Sequence, residues 1–462
     1  MRTGARRGVK LHAGIAAALL AAAGPALADQ EALKPVTAIA GRSLQFDWPA
    51  IEIGVGSYEE GPTGVTVFHF PKGASAAVDV RGGAPGTVNT DALRLADPSA
   101  FVDAVVFSGG SSLGEETITA VQTGLKDRRA ARGEPGGIAF ATGAIIYDFR
   151  QHRLNEIYPD KRLARAALAA LRPGVFPLGA QGAGRAAVQG GFLGCRAYSG
   201  QGGAFRQVGD LKIAAFTVVN ALGAVVDRDG NLVRCARHPA WRPDEKIADV
   251  LKRVGTGTII TPPGPASPTQ NTTISLIVTN RKMSPAELHR LAVQVHSSMA
   301  RAIQPFSTDA DGDTLFAAST QEIDAPKDLP VGQINVMASE LMWDAVLASV
   351  PEQVTPRTSA DLRVAPDRLA RLAGRYSFGL GAEMEVGAEN GRLTLLSHAP
   401  PFFDIPREQK IPLKAISPTD FYVDGRYQTR LSFTLGRDGK ATGAVVNPGR
   451  WAQAGRRVEA GR

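Results

Sequence analysis

Asn271-Thr272 stands where a stretch that cannot be regular structure meets one that must be a strand. Upstream, Thr261-Pro262-Pro263-Gly264-Pro265-Ala266-Ser267-Pro268 can be neither helix nor central strand, because proline fixes φ and lacks the backbone donor. Downstream, Asn271 to Asn280 reads NTTISLIVTN, apolar and β-branched. A threonine at such a junction can be driven against the carbonyl that precedes it if the loop is held under strain. The resulting N-to-O acyl shift gives an ester, and water then frees Thr272 with a new α-amino group. That amine has a reference pKa of about 7.7 to 8.0, so it can act as base for its own hydroxyl near neutrality. One residue then supplies both nucleophile and base. Local sequence leaves two plainer readings open: a threonine opening a strand is ordinarily just a β-former, and Asn271-Thr272-Thr273 also matches an N-glycosylation acceptor.

Gly110-Ser111-Ser112-Leu113-Gly114 is the rival constellation. It satisfies G-x-S-x-G between a predicted strand and a predicted helix, the context of a nucleophile elbow. Ser112 would then be the nucleophile, with a later Asp and His238 or His296 completing a triad. In the alternative the same residues form a tight turn whose N–H groups cap the helix. Asp309-Ala310-Asp311-Gly312-Asp313 invites a calcium reading but fails on spacing, since Gly is fourth and the twelfth position is Thr320. Gly179-Ala180-Gln181-Gly182-Ala183-Gly184 lacks a clear preceding strand and a ribose-binding acid, so it reads as a Gly-rich loop near the site rather than a dinucleotide fingerprint. The seven histidines show no metal-ligand spacing, and no metal site is expected.

The elements that must position these residues alternate apolar, β-branched runs with Ala-rich helical stretches from 29 to about 260, which predicts a mixed α/β domain. Candidate strands are Gly64 to Phe70, Val102 to Phe107, Gly143 to Tyr147 and Ile213 to Asn220; candidate helices are Glu115 to Arg129 and Asp160 to Leu171. Ser284-Pro285-Ala286-Glu287 predicts a capping box with Pro at the first helical position, opening a helix that runs to about Ile303. The catalytic domain is expected over 29–350. A Pro/Thr-rich, charged linker follows at 351–368. From 369 to 462 short alternating strands, among them Arg392 to Leu395 and Leu431 to Leu435, are punctuated by Asn390-Gly391, Asp424-Gly425 and Asp438-Gly439. These predict a small antiparallel β domain that resembles, in composition, barrel-like accessory modules of some secreted peptidases.

The amino terminus carries Arg2, Arg6, Arg7 and Lys10, a short apolar run from Ile15 to Ala23, and Ala26-Leu27-Ala28 before Asp29. Residues 1–28 therefore read as a secretory signal peptide, and the mature protein as periplasmic or secreted. Arg6-Arg7 leaves a twin-arginine route open. The apolar run is far below the roughly 20 residues of a membrane span, and no later segment comes closer. The formal charge of +8 falls to +4 without the leader, because those 28 residues hold four bases and no acid. No basic block interleaved with aromatics is present, so nucleic acid is not an expected partner. Cys195 and Cys235 could pair in an oxidising compartment or remain buried thiols.

Four stretches together resemble the L-aminopeptidase/D-esterase family, which includes β-aminopeptidases and nylon-oligomer hydrolases. They are Val78-Asp79-Val80-Arg81-Gly82-Gly83-Ala84-Pro85-Gly86-Thr87, Ser108-Gly109-Gly110-Ser111, NTTISLIVT, and Asp311-Gly312-Asp313-Thr314. The similarity covers about residues 40 to 345. It implies a layered α/β sandwich of the aminopeptidase/ornithine-acetyltransferase type and self-cleavage between Asn271 and Thr272. It implies Thr272 as nucleophile, Asn220 as a side-chain amide donor, and Asp311 and Asp313 near the new amino group. It also implies Tyr147, followed by Asp148, at the substrate pocket. Gln189 is expected on the substrate side as well; the nylon-oligomer enzymes place a Lys there, and the lost cation is expected to slow processing or change the substrate. The expected reaction is hydrolysis of small peptides or amides through an acyl-enzyme on Thr272, without a cofactor, by a homo-oligomer of processed chains. Two other classes stay open: an acyltransferase, and an uncut, inactive binding protein.

Overall fold

The structure is a computed structural model describing residues 33–458, apart from 60, 96–100, 135–136, 150–156, 194–196, 235–244, 257–270, 325–328, 351–361, 380–381, 399–404, 406, 424–425 and 447–451. The expected leader, both cysteines, His238, the Pro-rich run before Asn271, the expected Asp424-Gly425 turn and most of the expected linker lie outside the described residues.

The larger domain is built on β1 (Glu52–Tyr58), β2 (Thr63–Val80), β3 (Phe101–Ser108), α1 (Glu116–Ala131), β4 (Ala141–Ile145), α2 (Lys161–Ala169), β5 (Val188–Gln189), β6 (Ala197–Tyr198), β7 (Gln201–Val208), β8 (Leu211–Asn220), β9 (Thr272–Arg281), α3 (Pro285–Ser298), β10 (Thr314–Ile323) and α4 (Val331–Ala348). The main hydrogen-bonded path runs β7-β8-β9-β10-β2-β3-β4, with β9 parallel to β10 and β1 paired to the first half of β2. This sheet folds over on itself. Phe68 of β2 and Phe216 of β8 have ring centroids 5.0 Å apart, although β9 and β10 intervene and strands in one plane lie about 4.8 Å apart. β2 makes the fold possible: it pairs with β1 along Thr63 to His69 and with β10 along Ser75 to Val80, while its pairing with β3 shifts register between His69 and Ala74. The sequence predicted only Gly64 to Phe70 for this strand. It continues through Pro71 to Val80 because both halves find a partner.

Side-chain alternation gives the layers. On β8 and β9, Ala214, Phe216, Val218, Ile274, Leu276 and Val278 enter the core between the two sheet halves. Ile213, Ala215, Val219 and Ile277 face α3 and α4 instead. On the far side, Val65, Val67, Ala104 and Val106 pack on α1 and α2. The order is helix, sheet, sheet, helix, the layered α/β sandwich expected. Asp160 caps α2 by accepting from Leu163 N–H. The Ser284–Glu287 capping box is formed at the start of α3. That helix ends at Ser298, five residues before its predicted limit, where Met299–Arg301 tightens into a 3₁₀ turn.

Beyond the sandwich, α5 (Pro366–Leu372) leads into eight antiparallel strands: β11 (Gly374–Ser377), β12 (Glu383–Glu389), β13 (Arg392–Ser397), β14 (Lys410–Ala415), β15 (Asp420–Val423), β16 (Arg426–Leu435), β17 (Ala441–Val446) and β18 (Gln453–Val458). Each pairs with the next, and β18 returns to β11, closing a barrel filled by Tyr376, Leu393, Leu395, Phe421 and Phe433. Asn390 (φ 53°) and Gly391 (φ 74°) form the tight hairpin turn read from their types. No helix among the described residues is long and apolar enough to cross a membrane.

Candidate active site

Thr272 opens β9, 3 % exposed, directly across the strand pair from Asn220 at the end of β8. Its hydroxyl donates to the Asn271 carbonyl at 2.6 Å, and the same carbonyl accepts the Gly312 N–H at 2.7 Å. The amide between Asn271 and Thr272 is thus already polarised by one backbone donor, with a hydroxyl held against it.

Two glycine-containing motifs lock together to bring Gly312 there. The loop after β2 lays its backbone along the Asp loop: Arg81 and Gly82 N–H donate to the Asp313 carbonyl, Ala84 N–H to that of Asp311, and Gly83 N–H to that of Thr308. The approach is too close for side chains. A Cβ on Gly82 would fall 2.3 Å from the Asp311 carbonyl oxygen, and one on Gly312 would fall 2.6 Å from Thr272 Oγ1. Asp79 anchors the loop from below, facing Arg81 and, at 3.0 Å, Nδ1 of the buried His296.

The two aspartates are buried and held by backbone donors. Asp313 Oδ1 accepts Thr273 N–H at 2.6 Å and Oδ2 accepts Ser307 N–H at 2.9 Å. Asp311 Oδ1 accepts Leu222 N–H at 3.2 Å, and its Oδ2 accepts the Thr308 hydroxyl at 2.6 Å. Burial, followed by the neighbouring charge of Asp311, pushes the Asp313 carboxyl up to about 7, and burial also raises Asp311. Since the folded value of Asp313 lies above its ordinary 3.8, its contribution to stability is complete below about pH 4 and is lost as pH rises through about 7. In an uncut Thr272→Ala background, Asp313→Asn is expected to carry a pH-independent cost, since its amide turns an N–H toward a backbone donor. It should nevertheless gain Tm relative to that parent as pH rises from 4 to 7. Paired thermal melts across that range check the sign; a constant or shrinking gain would refute it.

Asn220, 1 % exposed, has both ends of its amide engaged: Nδ2 donates to the Tyr147 carbonyl at 3.0 Å and Oδ1 accepts Val188 N–H at 3.1 Å. Tyr147 therefore meets Asn220 through its backbone, while its ring lies edge-on to Phe149. Asp148 is turned away and locks the Ser108-Gly109-Gly110-Ser111 turn, accepting from Thr63 Oγ1 at 2.7 Å and Gly110 N–H at 2.8 Å. Gln189 is buried as a clamp, its Oε1 accepting Val225 N–H and its Nε2 donating to the Val233 carbonyl. A neutral amide can do both, whereas a lysine has no acceptor. The Gly182–Gly184 turn packs beneath Thr66 and Gln201, so close that a Cβ on Gly182 would meet Thr66 Oγ1 at 2.3 Å.

Ser112 lies exposed in the 3₁₀ turn Ser111–Glu115 that leads into α1. His296, one of its two candidate partners, is on α3 in the opposite outer layer, facing Asp79 with both sheet halves between. Sequence reasoning missed Gly312 as the donor to the Asn271 carbonyl. Its only sequence signal was a glycine between two acids.

The model of peptidase family S58 matches residues 46–356. The 6-aminohexanoate-oligomer endohydrolase of Paenarthrobacter ureafaciens is 42 % identical over 333 residues, 68 % of this chain and 88 % of its own. An uncharacterized aminopeptidase of Mycobacterium bovis is 35 % identical over 308 residues, 62 % of this chain and 85 % of its own. Among solved structures, a Burkholderia sp. β-aminopeptidase aligns with a TM-score of 0.48 at 16 % identity, covering 70 % of this chain and 90 % of its own. The family match spans the sandwich, including the interlocked glycine and aspartate loops and the Thr272 strand, and stops before the barrel. This chain belongs to peptidase family S58.

Proposed function

We propose that the chain is an exported, self-processing amide hydrolase that cleaves itself between Asn271 and Thr272 and then uses Thr272 as an amino-terminal nucleophile. The Asn271 carbonyl, held between the Thr272 hydroxyl and the Gly312 N–H, carries this reading. Attack of Oγ1 on the Asn271 carbonyl carbon places negative charge on an oxygen that already has a backbone donor. Collapse breaks the C–N bond, the nitrogen takes a proton, and the chain is left as an ester on Oγ1. Water then hydrolyses that ester, releasing residues 29–271 with a carboxylate on Asn271 and restoring the Thr272 hydroxyl beside its free amine.

In the cut enzyme the same hydroxyl attacks a substrate amide, with the new amine as base. The amine returns the proton to the leaving nitrogen, and water hydrolyses the acyl-enzyme. Asn220 is assigned as side-chain amide donor to the reacting carbonyl, Tyr147 to the substrate side, Gln189 to holding the backbone of Val225 and Val233 in place, and Asp311 and Asp313 to the surroundings of the ammonium group. One relative is named for endohydrolysis of 6-aminohexanoate oligomers and another as an aminopeptidase, which supports short amides and peptides as substrates. The buried acidic pair favours a free substrate amine, hence the exopeptidase reading.

Denaturing electrophoresis with amino-terminal sequencing is expected to give two chains beginning at residues 29 and 272. Acetylating the amino terminus of a dipeptide substrate should remove most of the activity. An intact chain that still hydrolyses peptides would end the self-processing reading; equal turnover of blocked and free substrates would replace the exopeptidase with an endo-acting amidase.

A further inference from the structure

Between the barrel and Asn220 lies a pair of two-residue strands, β5 and β6, in which Val188 faces Tyr198. So short a pair is not stable unless something covers it. The cover comes from the barrel: Tyr198, 6 % exposed, joins the apolar cluster of Leu369, Leu372, Tyr376 and Phe378, and Val188 packs against it. The segment before Val188 is tied to the barrel as well. Arg185 pairs with Glu59, whose carbonyl accepts Gln453 Nε2 of β18 at 3.1 Å.

We infer that the C-terminal barrel braces the catalytic domain, with Val188 and Tyr198 as positioning residues that fix the Asn220 amide; the inference rests on the role proposed above for Asn220. The physical step is the direction of two hydrogen bonds. Val188 N–H can only donate and must face Oδ1, while the Tyr147 carbonyl can only accept and must face Nδ2. Together they select one of two amide orientations, and loss of the Val188 donor removes one of the two bonds that hold the amide in place. The barrel lies beyond residue 356, where the family match ends, so this is a device added to the shared sandwich.

The test uses the full chain carrying Tyr198→Ala, Tyr198→Phe, Gln453→Ala or Asn220→Ala, with self-cleavage followed by electrophoresis and hydrolysis by an aminoacyl p-nitroanilide assay. Tyr198→Ala is expected to slow processing and lower kcat about tenfold or more, with KM within about twofold and faster deuterium exchange at the Val188 amide. Tyr198→Phe, which keeps the packed ring, should restore kcat to within about twofold of the unaltered chain. Gln453→Ala removes the hydrogen bond to the Glu59 carbonyl and leaves the apolar cluster around Tyr198 intact, so it should give a smaller loss, about threefold in kcat with KM unchanged, and it decides the matter should Tyr198→Ala not fold. Unchanged kcat in Gln453→Ala and, where it folds, in Tyr198→Ala overturns the brace, as does a Tyr198→Ala loss confined to KM or not rescued by phenylalanine. If Asn220→Ala is crippled while the barrel-facing variants behave as the unaltered chain, the brace alone fails. If Asn220→Ala is fully active, the role given to Asn220 fails and the brace with it.

Discussion

Thr272→Ala is expected to leave a single uncut chain, with hydrolysis reduced on the order of 10⁴-fold or more, the scale seen when a covalent nucleophile is removed. The substitution deletes the oxygen that sits 2.6 Å from the Asn271 carbonyl oxygen and, after cleavage, the oxygen that would carry the acyl group. Its structural cost is small by comparison. One hydrogen bond within a continuous strand contributes about 1 kcal/mol, and the flanking residues of β9 remain paired to β8 and β10. The variant should therefore fold, and the loss should be chemical. Thr272→Ser keeps a hydroxyl and should still process. Ser112→Ala, on an exposed turn, should process and hydrolyse as the unaltered chain does. Electrophoresis and a peptide-hydrolysis assay on the three variants decide the matter: an active Thr272→Ala beside an inactive Ser112→Ala would hand the nucleophile to the elbow.

Gly82→Ala should be nearly as damaging, although Gly82 donates nothing to the reaction. Its new methyl would lie 2.3 Å from the Asp311 carbonyl oxygen and 2.3 Å from the Asp313 nitrogen, both backbone atoms that cannot swing aside. The Asp loop must retreat by close to an ångström, carrying the Gly312 N–H away from the Asn271 carbonyl. Overpacking of this kind costs about 1 to 3 kcal/mol of stability, and a displacement of about 1 Å at a reacting group can cost about 10²-fold in rate. The expected result is a folded protein that cleaves itself at least about a hundredfold more slowly, followed by electrophoresis against time. Gly332→Ala is the control: nothing lies within 4 Å of its Cβ, in the first turn of α4. Processing there should be unaffected, with stability unchanged or raised by up to about 1 kcal/mol. Gly82→Ala cleaving at the rate of the unaltered chain would show that the loop contact does not position the donor.

The sequence by itself determined the features that depend on residues a few positions apart. The run NTTISLIVTN became a strand starting at Thr272 because its apolar, β-branched residues can be buried on both faces. Ser284 and Glu287 closed their capping box, and Asn390-Gly391 turned its hairpin, because each needs only neighbours within three or four residues. The eight-stranded module was legible as alternating strands for the same reason. Tertiary structure decided whatever required segments far apart in the chain to meet. Periodicity ended β2 at Phe70, yet the strand runs to Val80 because β10, more than 230 residues later, supplies a partner for Ala76 to Val80. Gly82 and Gly312 are 230 positions apart, and only the contact of Gly82 with the backbone of Asp311 and Asp313 turns an Asp-Gly-Asp loop into a donor aimed at the Asn271 carbonyl. Gln189 looked from its position like a group directed at substrate, but the fold surrounds its amide with the backbone of Val225 and Val233. Residue type fixes what a side chain can donate or accept; which partner stands within 3 Å of it depends on how distant strands pair and pack.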